Sequence, residues 1–220
     1  SFELKKGSDL ITIMYLGTTS DFEKNLIPIR IPVDKNLSGY MIYLIRKENQ
    51  PKFSAVKSLD DLRKFSIGLG DGWLDVDILR ASNFNVVTGS NYNGLFYMLR
   101  NKRFDAFQRS VVEIIEEYEN YKKDISSLHI EEDLLFYYPL PMYFWFSKTK
   151  EGKKLAIRAE EGMLQMIKDG SYDKIFFKYH KYKIDKLNLK NRKVFKINNP
   201  LLGPKTPFEN SQLWYNPLTK

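Results

Sequence analysis

The 220-residue sequence has no cysteine, and its only two histidines, His129 and His180, stand far apart. Disulfides, thiolate metal sites and cysteine nucleophiles are thereby excluded together, and zinc or triad chemistry lacks its usual ligands and base. Long apolar runs are missing as well: the most apolar stretch, Leu134 to Phe146, is interrupted by Pro139 and Pro141 and is shorter than the roughly 18 residues a membrane-spanning helix needs. No charged and then apolar stretch opens the chain, so any secretion signal is expected to have been removed already or never to have been present.

What is present is core material. Apolar residues make up 43% of the chain and aromatic residues 15%, enough for a globular fold of one large or two modest domains. The formal charge of +8 is unevenly spread, because residues 178 to 205 carry nine lysines or arginines against the one acid Asp185. The rest of the chain is balanced, unlike a domain built around a phosphate-binding face. The excess reads as a solvated basic surface, with no nucleic-acid partner expected, although attraction to a membrane surface or nucleic acid is the alternative.

The middle of the chain alternates strand-like and helical patterns. Phe65–Leu69, Asn85–Thr88 and Phe104–Phe107 read as strands, and Leu74–Ser82, Tyr92–Asn101 and Val111–Lys123 as helices, the last with Val111, Ile114, Ile115 and Tyr118 on one face. Short connections of this kind imply a parallel sheet that binds ligands at the carboxyl ends of its strands. Ser58 and Asp61 form a capping-box pattern ahead of Leu62. Tyr40–Arg46 and Met142–Ser147 are aromatic-rich strands flanking this segment. A helix over Lys153–Lys168 stops at Gly170, another starts at Ser171 and runs to Tyr179, and the proline-bearing end from Asn198 reads as an extended surface tail.

Several segments, in order, resemble the family 3 extracellular solute-binding proteins, the periplasmic receptors for polar amino acids. They are Leu4 to Asp9, Thr19 to Pro32, Ser58 to Gly72, Asn101-Lys-Arg-Phe-Asp-Ala-Phe107 and Lys168-Asp-Gly-Ser-Tyr-Asp-Lys-Ile175. The resemblance implies a two-lobed α/β fold of the type 2 periplasmic-binding kind, each lobe a mostly parallel sheet flanked by helices, joined by two hinge strands. Lobe one would hold residues 1–43 and 139–220, and lobe two residues 44–138. The family's first lobe begins with a strand, helix and strand that precede the first of these segments, so lobe one is expected to be incomplete at its start. The implied function is reversible binding of a small solute in the inter-lobe cleft, without catalysis or cofactor. The protein would be periplasmic and monomeric, serving a permease or a sensor. A ligand-sensing domain and an enzyme on the same fold are the alternatives.

In the family an arginine of the second segment holds the ligand carboxylate, and an acid after the fourth holds its amine. The positions corresponding here are Lys24 and Arg109. A cation in place of the acid would repel an ammonium, so two cations facing one cleft imply an anionic solute. Beside Arg109, Gln108 is a candidate hydrogen-bonding residue. The turn Asp71-Gly72-Trp73 and Ser90 stand at predicted helix starts, where backbone amides can face a ligand, and Tyr15 and Tyr40 are candidates for stacking on it. Asp71, Asp75 and Asp77 form a carboxylate cluster with no partner histidine, so no metal is expected. Glu116 and Glu117 read as a solvated helix face.

Overall fold

A computed structural model describes residues 2–8 and 10–217; Asp9, the last residue of the first family-like segment, lies outside the described residues. In chain order the regular elements are α1 (Phe2–Lys6), β1 (Ile13–Gly17), α2 (Ser20–Asn25), β2 (Ile27–Ile29), β3 (Tyr40–Arg46), α3 (Gln50–Ser54), α4 (Leu59–Leu62) and β4 (Ser66–Gly70). There follow α5 (Leu74–Ala81), β5 (Asn85–Gly89), α6 (Tyr92–Arg100), β6 (Ala106–Ser110), α7 (Ile114–Tyr121), β7 (Leu128–Ile130) and β8 (Leu134–Tyr137). The last are β9 (Met142–Phe146), α8 (Lys150–Lys168), α9 (Ser171–Lys186) and β10 (Lys193–Lys196). No helix among the described residues is long and apolar enough to cross a membrane.

The chain divides into two compact units. The first comprises Ser1–Ser38, Leu140–Tyr182 and Leu201–Asn216; the second is built on Gly39–Pro139 and Lys183–Pro200. The α/β architecture is the expected one, with different details. In the first unit β9 lies between β1 and β2 and pairs antiparallel with both, so this three-stranded sheet has no parallel pair. Helix α8 packs Ala156, Met163 and Ile167 over it with Ile29 and Phe146. The proline-bearing end is no mere surface tail: Leu213 and Tyr215 are buried, and the Tyr215 amide donates to the Lys35 carbonyl at 2.8 Å.

The second unit is a mixed sheet in the order β10-β8-β3-β6-β4-β5, with β7 beside β3. Strand β3 is buried at all seven positions, which explains its continuous apolar pattern. Its neighbours β6 and β8 run antiparallel to it, whereas β6, β4 and β5 are mutually parallel along the predicted strand-helix repeat. The capping box at α4 is formed: the Asp61 amide donates to Ser58 Oγ at 3.1 Å, and the Ser58 amide to Asp61 Oδ2 at 3.2 Å.

Several boundaries differ from the sequence expectations. Strand β6 reaches Ser110 instead of ending at Phe107, and α7 starts at Ile114, because the Val111 amide extends the ladder to the Tyr40 carbonyl. The second unit begins at Gly39 and takes in Lys183–Pro200, a segment the sequence reading gave to lobe one, because β10 pairs in parallel with β8, Phe195 opposite Phe136. Helix α9 continues past Tyr179 to Lys186.

Arg192 pins β10's entry to this sheet. Its guanidinium donates to the carbonyls of Leu187 at 2.7 Å, Glu131 at 2.7 Å and Leu134 at 3.1 Å, and stands 3.4 Å from the buried Glu131 carboxylate. Removing one partner of a buried pair leaves the other charge uncompensated. Arg192→Ala is therefore expected to lower unfolding free energy by about 3 kcal/mol in urea titration; a loss below ~1 kcal/mol would show the pair to be screened by solvent.

Candidate functional site at the carboxyl edge of three parallel strands

The register aligns Gly68 with Phe107 and Gly70 with Gly89, so β4, β5 and β6 end along one edge. Helices α5, α6 and α7 start from that edge, and their free amide ends gather there. Gly70 is required by close approach, since a Cβ there would meet the Trp73 ring at 2.3 Å; Gly72 adopts φ of +75° in the turn that follows.

Arg109 is the centre of this edge. It lies within β6, opposite Ile42 of β3, and its side chain is 9% exposed. Its guanidinium donates from Nε to Glu117 Oε2 at 2.6 Å, and from Nη2 to Glu117 Oε1 at 2.5 Å and Glu113 Oε2 at 2.7 Å. The same group lies 4.7 Å from the Trp73 ring centre, 5.2 Å from Phe107 and 5.8 Å from Tyr92, in cation–π range. Tyr92 completes the cluster by donating its hydroxyl to Glu117 Oε1 at 2.6 Å. Burial works against the Arg109 charge, but the Glu117 hydrogen bonds and the two carboxylate charges outweigh it and hold its pKa above the usual value.

A second chain of hydrogen bonds meets the first. Gln108, buried on the same strand, donates from Nε2 to the Tyr138 hydroxyl at 2.7 Å, and that hydroxyl donates to Asp75 Oδ1. Gln108 Oε1 and the Tyr43 hydroxyl, on residues paired across β6 and β3, are buried with no hydrogen-bond partner among the described residues. Burial raises the pKa of Asp75 despite the Tyr138 hydrogen bond and the Arg109 charge. It raises that of Glu113 too, with the charges of Glu117 and Asp75 adding to the shift while Arg109 opposes it. The edge thus holds three carboxyl groups around one guanidinium.

The expectation of an anionic solute rested on Arg109 and Lys24 as available cations; Arg109 is occupied by two carboxylates, whereas Lys24 is an exposed residue of α2 in the first unit. Glu117, read as a solvated face, is a buried partner of Arg109. Gln108, Arg109 and Trp73 come together, with Asp71, Gly72 and Ser90 on the neighbouring exposed turns. Asn91, not Ser90, caps α6 by accepting from the Gly94 amide at 2.8 Å. Tyr40 is buried with its ring 4.6 Å from that of Tyr137, whereas Tyr15 is exposed on β1 beside Phe144. Among the described residues no group of three or more histidines, aspartates and glutamates is arranged to hold a metal ion.

Sequence reasoning missed Tyr92, Tyr138 and the role of Glu117. For Glu117 a signal existed, since an acid on the helix after a strand-end arginine is one turn beyond Glu113. Tyr138 had none, because its partner Asp75 is 63 residues away.

No protein-family model matches the chain, and no curated protein matches it in sequence. Solved structures do match. An ancestral arginine-binding protein bound to arginine aligns with a TM-score of 0.57 at 19% identity, over 80% of this chain and 74% of that one. An arginine periplasmic binding protein of Legionella pneumophila, from a third transport system, aligns with a TM-score of 0.58 at 16% identity, over 80% and 75%. A histidine kinase sensor domain similar to periplasmic binding proteins aligns with a TM-score of 0.54 at 14% identity, over 81% and 72%. The chain has the type 2 periplasmic-binding-protein fold of these proteins.

The Arg109–Glu117 pair is testable by itself. Glu117→Ala, which leaves a buried guanidinium with one carboxylate, is expected to cost about 3 kcal/mol in denaturant unfolding. Replacing both Arg109 and Glu117 by Met is expected to cost less than Glu117→Ala, because no buried charge of the pair is then left unpaired. A double variant at least as unstable as Glu117→Ala contradicts the assignment.

Proposed function

We propose that the chain is an extracytoplasmic receptor that reversibly binds a small polar solute carrying an amine or guanidinium group at the carboxyl edge of β4, β5 and β6. The observation that carries this reading is the excess of carboxyl groups, Asp75, Glu113 and Glu117, over the one guanidinium of Arg109 at that edge. A positively charged solute relieves the repulsion among these acids, whereas an anion adds to it. Exposed Asp71 on the adjoining turn has the same sign. The proteins of like fold support a solute-binding role, one being bound to arginine and another, also ancestral, to glutamine. Binding serves uptake through a membrane permease or, as the sensor-domain likeness favours, ligand sensing. Neither role calls for chemistry on the solute.

Isothermal titration with arginine, lysine, glutamine and a dicarboxylate tests the reading. The expected order places the cationic amino acids first and the dicarboxylate last, with Asp75→Asn weakening the cationic ligands by roughly tenfold, the value of one charge-assisted hydrogen bond. A preference for the dicarboxylate, retained in Asp75→Asn, would overturn it.

The pH dependence has a fixed sign. The carboxylate forms attract the solute, and burial raises the pKa of Asp75 and Glu113 above the ordinary values of 3.8 and 4.5. Affinity for a cation is therefore full above these raised values and lost as pH falls through them. The loss is expected to begin at a higher pH than for exposed carboxylates, and titration at a series of pH values reads it directly; affinity constant down to the ordinary carboxylate range would exclude these two groups from the site.

A further inference from the structure

The basic excess noted in the sequence is put to a specific use on α9. Its inward side is fixed: Tyr172 and Phe176 are buried, the Tyr172 hydroxyl donates to the Pro32 carbonyl, and the Phe176 ring lies 5.2 Å from that of Tyr215. The outward side is thereby fixed too. Ile175, Lys178, Tyr179 and Tyr182 follow the i, i+3, i+4, i+7 spacing that makes one continuous stripe on a helix. Ile175, Tyr179 and Tyr182 are 45%, 63% and 64% exposed. Lys174, Lys178 and Lys181 are exposed beside them, and no acid occurs from Lys174 to Tyr182. Lys178 lies over the Tyr179 ring at 5.4 Å.

We propose that this face docks on an anionic phospholipid surface. The lysines supply attraction to anionic headgroups, their stems lie along apolar surface while the ammonium groups stay in water, and the two tyrosines have the apolar ring and polar tip that suit the headgroup level. Ile175 adds a purely apolar contact. The stripe is short and the tyrosines keep their hydroxyls, so docking is peripheral and reversible, governed by charge more than by insertion. An acidic protein surface would attract the same lysines but gives no reason for two tyrosines and an isoleucine to stand in water. This role is independent of solute binding.

Co-sedimentation of the protein with vesicles of phosphatidylglycerol and phosphatidylcholine, compared with phosphatidylcholine alone, tests the proposal. Binding is expected only to the anionic vesicles, and is expected to fall steeply with added salt. Each lysine contributes roughly fivefold to the partition coefficient, so Lys178→Gln with Lys181→Gln is expected to lower it at least tenfold. Tyr179→Ser with Tyr182→Ser is expected to weaken binding while leaving the salt dependence in place. All four positions are exposed, and an unchanged melting temperature in both variants confirms that folding is intact. Equal binding to both vesicle types, no binding, or binding indifferent to both variants would overturn the proposal. So would a mixed-sequence DNA fragment displacing the protein from the vesicles at equal charge concentration.

Discussion

One guanidinium organises the carboxyl edge of the second unit. Strand β6 is buried at all its positions, and a charged side chain within it is tolerable only if its charge is matched and its donors are occupied. Arg109 meets that condition with residues from the starts of three helices: Trp73 immediately precedes α5, Tyr92 opens α6, and Glu113 immediately precedes α7 with Glu117 one turn on. Neutralising a single buried charge therefore fixes where α5, α6 and α7 leave the sheet.

The parts of this arrangement that depend on near neighbours in sequence could be read from the sequence. Strand β3 was bounded correctly because seven consecutive buried residues make an unbroken apolar run. Helices α5 and α6 fell within a residue of their ends for the same local reason, periodicity and a cap. The misreadings are those where a distant partner decides. Lys193–Lys196, read as part of a solvated basic surface, is a strand because β8 supplies an edge for Val194 and Phe195, and the tail reads as a surface segment until Leu213 and Tyr215 find the first unit's core. Gly, Ser and Asn turns at the strand ends were legible because backbone conformation demands them locally.

At the candidate site the gathering of Gln108, Arg109 and Trp73 at the strand ends was legible, and the partners of Arg109 were not. Arg109, Gln108 and Trp73 were identified by position, at the end of a parallel strand and at a helix start. Their chemistry turned on Glu117, eight residues beyond Arg109 and separated from it by the change from strand to helix. A substitution that places arginine where an acid is expected looks like a reversal of ligand charge. With Glu113 and Glu117 folded back on it, the arginine instead becomes the support for a carboxylate pair, and the edge keeps its acidic sign.

That outcome also separates the protein's net charge from the charge a solute would meet. The formal charge of +8 resides in residues 178–205, on α9, β10 and the segments after them, and of these Lys183 reaches the strand-end region, donating to the Val112 carbonyl and pairing with Glu116 at 2.7 Å. At physiological ionic strength the field of such exposed lysines decays over about 8 Å, whereas groups in hydrogen-bond contact in a dry site are hardly screened.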